Sequence, residues 1–78
     1  MTEILHPDGS REKVEGPLSL HDLQNVVGGL IELVYLPGKQ FIVVNEEGLL
    51  LDLPTNMAAS NIAGRRLVGT AILTDELE

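Results

Sequence analysis

Hydrophobic and polar positions along the chain divide it into short runs separated by turn residues. Ile4 and Leu5 precede the turn Pro7-Asp8-Gly9-Ser10, and Arg11 to Glu15 follow with alternating charge. Pro, Asp and Gly each satisfy a different backbone requirement of a tight turn. The pattern predicts a polar β-hairpin over 2–15, with strands near 2–6 and 11–15, lying at a sheet edge or as a flap. Gly16-Pro17 closes it. Ser19 then reads as a helix N-cap with Asp22 in the first turn. Leu20, Leu23 and Val27 fall on one helical face, and Gly28-Gly29 supplies the stop. A helix over 19–27 is predicted.

The next runs are β-rich. Leu30 to Leu36, Gln40 to Val44 and Leu49 to Leu53 read as strands, divided by Pro37-Gly38-Lys39 and by Asn45-Glu46-Glu47-Gly48. Loops this short join antiparallel neighbours. The middle run, QFIVV, suits a central strand buried on both faces. Met57 to Ile62 suit one or two helical turns, capped by Thr55 or Asn56 and ended by Gly64. Arg65 to Leu73 reads as a last strand, with Gly69 a bulge or a point of close approach. An acidic tail over 74–78 ends the chain and is expected to fray. The expected order is ββαβββαβ: an α+β fold with a mostly antiparallel sheet, one main helix and one short helix, in a single domain over 1–78.

Composition narrows the function. The 78 residues hold 12 acids, five Lys or Arg and no cysteine, for a net charge of −7. Disulfide scaffolds, thiol catalysis and cysteine-based zinc sites are excluded. Direct binding to nucleic-acid phosphates requires a basic surface, which this composition lacks. No apolar run approaches the ~20 residues of a membrane span, and the start of the chain lacks the pattern of a signal peptide, so a cytoplasmic location is expected. A domain this small walls off a deep pocket with difficulty, which makes a homo-oligomer the expected state.

Some of these residues form short motifs. Val27-Gly28-Gly29-Leu30-Ile31-Glu32, then Asn45-Glu46-Glu47-Gly48, then Asn56 with Ala59, occur in this order. The chain thereby resembles a family of small domains of unknown function from bacteriophages and mobile elements of bacteria. The likeness covers roughly residues 4–70. It implies a phage or mobile-element origin and carries no activity, cofactor or catalytic residue with it.

Candidate chemistry is sparse. Glu32 interrupts an apolar strand. It is either a solvated residue on an edge strand, a carboxylate held for a ligand, or the partner of Arg65 or Arg66. Asn45 and Glu46 are ordinary turn residues or readers of a ligand's polar edge; a hard metal ion on Glu46, Glu47 and Asp52 is a weaker alternative without the spacing of a calcium loop. Asn56 caps a helix or, with Arg65 and Arg66, helps to hold an anion at the helix start. The arginines alternatively pair with local acids. Tyr35 or Phe41 can stack on a base. Serines lack a nucleophile-elbow context, and His6 and His21 lack triad partners, so no catalytic residue and no metal site is expected.

Three functional expectations follow. The first is a small non-enzymatic phage or mobile-element accessory protein, a homo-oligomer that binds and sequesters a nucleotide-type small molecule of host defence signalling. Glu32, Tyr35, Asn45, Glu46, Asn56, Arg65 and Arg66 would line its site. The second is an acidic interaction module that binds and inhibits a host protein, possible targets including DNA-binding enzymes, by charge steering. The third is a structural accessory without a small ligand.

Overall fold

A computed structural model describes residues 1–77. Seven elements follow one another: β1 (Thr2–Leu5), β2 (Arg11–Val14), α1 (Leu20–Val27), β3 (Ile31–Tyr35), β4 (Phe41–Asn45), α2 (Met57–Ala63) and β5 (Ala71–Thr74). The five strands form one antiparallel sheet in the order β2-β1-β5-β4-β3. This is the α+β class expected, with one strand fewer. The N-terminal hairpin belongs to the sheet of its own chain: β2 forms one edge and β1 pairs with β5.

Alternation along the strands sends successive side chains to opposite faces. Ile4, Val43 and Ile72 point to the face where Leu23 and Val27 of α1 pack. Leu5, Ile42, Val44, Ala71 and Leu73 gather on the other side with Ala59 of α2 and Leu67. The sheet is thus sandwiched between the two helices, and β4 is buried on both faces.

Local signals account for the element ends. Ser19 Oγ accepts from the Asp22 amide at 3.1 Å, and Gly28 closes α1 in the left-handed conformation, φ 85°. Leu20 departs from the expected face: it stands 57% exposed, since the first helical residue turns away from the sheet. In the hairpin turn, the Ser10 hydroxyl and amide both donate to Asp8, and these bonds hold its carboxyl below the usual carboxylate range.

Two expectations are corrected. Residues 49–53 form no strand but a hydrogen-bonded turn: the Leu51 amide donates to Glu47 and the Leu53 amide to Gly48. The last strand is shorter than 65–73. Residues before it pair instead with the approach to α2, where the Asn56 amide donates to Leu67 O and the Gly69 amide to Pro54 O. Gly69 then turns the chain at φ 78°, with Leu53 so near that a Cβ would lie 2.8 Å from its Cδ1.

The expected tail is also shorter. Thr74 is a buried strand residue whose hydroxyl meets that of Thr2 at 2.8 Å. The Met1 amino group lies 2.7 Å from Asp75, which lowers the titration of that carboxyl and raises that of the amine. Glu78, the end of the expected tail, lies outside the described residues.

Candidate functional site

A shallow cleft of about 160 Å³ opens between β3, β4 and the segment that follows α2. Glu32, Asn45, Glu46, Arg65 and Arg66 supply its polar lining, and Val44, Leu67 and Val68 its apolar lining. Five of the seven residues singled out from the sequence therefore share one depression. Gly64 ends α2 and sends Arg65 toward β3, where its guanidinium stands 3.5 Å from the Glu32 carboxylate. Both groups are about half exposed, so the pair is solvated and contributes little. Arg66, also in the cleft lining, donates from Nε to Thr55 Oγ1 at 3.0 Å.

Tyr35 and Asn56 are not part of the cleft. Tyr35 lies on the opposite sheet face from Glu32 by strand alternation, 77% exposed, with its ring centroid 6.4 Å from that of Phe41. Asn56 has no exposed surface. Its Oδ1 accepts from the Ala59 amide, and its Nδ2 donates to Leu5 O and Gly69 O, both at 2.9 Å. Every strong bond of the amide is committed inside the protein. Asn56 is thus the N-cap of α2, the capping role that the sequence offered, and its buried amide is spent on the Ala59 amide and two carbonyls.

Asn45 lines the cleft but is itself mostly buried. Its Nδ2 donates to Val27 O at 3.1 Å and its Oδ1 accepts from the Glu47 amide at 2.7 Å. A Cβ on Gly29 would lie 3.1 Å from that Nδ2. One asparagine thus ties the end of α1 to the turn after β4. The motifs Gly28-Gly29, Asn45 to Gly48 and Asn56 with Ala59 are joints of the fold.

The turn after β4 places a feature that the sequence reading missed. Leu49, Leu50 and Leu51 are 72%, 84% and 56% exposed. The turn is nevertheless well anchored at its base. Gly48 is held so close to Val68 that a Cβ would lie 2.8 Å from Cγ2, Leu53 folds back over Gly69, and the Gly48 amide donates to Asn45 O. Asp52 adopts a positive φ of 55°, which keeps the turn tight. The three leucines are held in water by a fixed backbone, with Glu46, Glu47 and Asp52 around them. The signal available in the sequence was the run of three leucines between acids, which reads equally well as a strand.

Among the described residues, no three of His, Asp and Glu come close enough to hold a metal ion. Among the same residues, no helix is long and apolar enough to cross a membrane. Fold and site define a class: a small α+β domain with a helix on each face of an antiparallel sheet, carrying a shallow charged cleft beside an exposed apolar turn. The chain belongs to the family described as a domain of unknown function, DUF3846, whose model matches residues 1–78. No curated protein and no solved structure matches it.

Proposed function

We propose that the domain is a non-catalytic protein-binding module that engages its partner through the Leu49–Leu51 turn. The observation that carries this reading is the exposure of three consecutive leucines on a turn whose base is locked. Apolar side chains held in water on a rigid support gain free energy when a partner covers them, about 25 cal/mol per Å² of apolar surface removed from water. Little conformational entropy is lost, because the backbone is already ordered. Glu46, Glu47 and Asp52 rim the turn, and the chain's charge of −7 steers basic surfaces toward it. The partner of matching chemistry is a protein with an apolar groove bordered by Lys and Arg, such as a host target of a phage or mobile-element protein.

A photo-crosslinking residue at position 50 tests this in the organism that makes the protein. The same residue at Lys39, in the turn at the other end of the β3–β4 hairpin, serves as control. A protein captured from position 50 and not from 39, less of it at high salt and none with Leu51→Asp, is the expected result. Equal capture from both positions removes the reading.

A second reading rests on the convergence of Glu32, Asn45, Glu46, Arg65 and Arg66 on one cleft. In it the two arginines grip an anionic group of a nucleotide-type ligand, which the protein sequesters. At about 160 Å³ the cleft is smaller than the ~300–1,000 Å³ of usual ligand pockets, so it suits one phosphate-sized group. Thermal shift with cyclic and linear nucleotides, compared with Arg65→Ala and Arg66→Ala, tests it. No shift with any of them ends it.

A further inference from the structure

The two edges of the sheet differ. Along β2 the residues Arg11, Glu12 and Lys13 alternate in charge and are exposed, a pattern that discourages pairing with another strand. The β3 edge reads Ile31-Glu32-Leu33-Val34-Tyr35, with Glu32 its one charge, and Arg65 stands beside that carboxylate. Nothing of this kind defends β3.

The hydrogen-bond phase of β3 is fixed at both ends. The Leu36 amide donates to Gln40 O, and the Glu46 amide donates to Leu30 O. In an antiparallel pair, residues bonded to the neighbour alternate with residues whose N–H and C=O point away from it. In the observed register Glu32 and Val34 therefore bond to β4, and Ile31, Leu33 and Tyr35 present their backbone groups outward. Outward groups spaced by two residues, with Leu33 at the midpoint, are self-complementary about a two-fold axis.

We propose that β3 pairs antiparallel with β3 of a second copy about a two-fold axis through Leu33, joining the two sheets into one. In that register Leu33 faces its own counterpart and Ile31 faces Tyr35 of the partner subunit. The outward backbone groups form about six inter-chain hydrogen bonds. The exposed Tyr35 ring is covered by an aliphatic side chain, a favourable cross-strand pair. The two Glu32 side chains do not oppose each other, since each faces a Val34, and each keeps its own Arg65. A shift of the axis to Ile31 or Tyr35 leaves outward groups unpaired, so the register is specific. A second copy fits better than a basic peptide, because the single acid along this edge already has a cation beside it.

Sedimentation of the full chain with backbone hydrogen exchange tests the proposal. The expected result is a species of twice the 8.4 kDa chain mass at ~100 µM, with slow exchange at the Ile31, Leu33 and Tyr35 amides. Tyr35→Lys alters an exposed ring, leaves the monomer folded and weakens the dimer about tenfold. Leu33→Lys sets two ammonium groups opposite each other across the axis and gives a monomer; the milder Tyr35 variant stands in its place if it fails to fold. A monomer at ~1 mM overturns the proposal. So does a dimer whose three outward amides exchange as fast as those of an unpaired strand, because it would assemble through another surface.

Discussion

Asn56 and Leu50 reverse the usual placement of their residue types in opposite directions. The asparagine is sealed inside the protein and the leucine stands almost wholly in water. The two observations have different meanings. A polar group survives burial only when its hydrogen bonds are complete, so Asn56 is informative about how the fold is assembled. An aliphatic side chain in water has no such requirement, and the anchored turn that presents three of them is what the proposed binding role rests on. Asn45 stands between these cases: its amide serves the fold, while the turn it anchors carries the leucines.

Substitutions break the comparison at unequal cost. Asn56→Ala removes the hydrogen bonds to two buried carbonyls and to the Ala59 amide at once, and is expected to destabilise the protein by about 3 kcal/mol in denaturant titration. In a domain of this size each 1 kcal/mol lowers Tm by roughly 4–8 °C. Asn45→Ala is expected to cost about 2 kcal/mol, because it releases Val27 O and the Glu47 amide at a partly exposed joint. The Glu47 amide should then exchange faster than in the parent protein. Leu50→Asp should change stability by less than about 0.5 kcal/mol. If that variant unfolds as easily as Asn45→Ala, the turn belongs to the core and the contrast with Asn56 disappears.

What the sequence discloses follows the reach of each interaction. The N-cap at Ser19, the stop at Gly28 and the first hairpin turn depend on neighbours within a few residues, and local pattern places them correctly. The roles of Asn45 and Asn56 depend on Val27 O, 18 residues away, and on Leu5 O, 51 residues away. A polar residue beside a turn therefore looks available to a ligand until its distant partners are seen. Leu49 to Leu53 fail for a related reason. Their side chains favour a strand, but Gly48 pressed against Val68 and Leu53 folded over Gly69 fix the backbone in a turn. Five cleft residues were legible as chemistry-bearing side chains, whereas the exposure of the leucines was not.

The position of β5 has a consequence for how the chain reaches this state as it is made. The final strand occupies the middle of the sheet, between β1 and β4. During vectorial synthesis the ribosome releases the N-terminal hairpin and the β3–β4 pair long before it releases Ala71–Thr74. Until then the two halves have no strand to join them, and Ile4, Leu5 and Ile42 lack the neighbours that bury them. Completion of this domain's fold therefore waits for β5 to emerge, a delay set by topology and not by slow local chemistry.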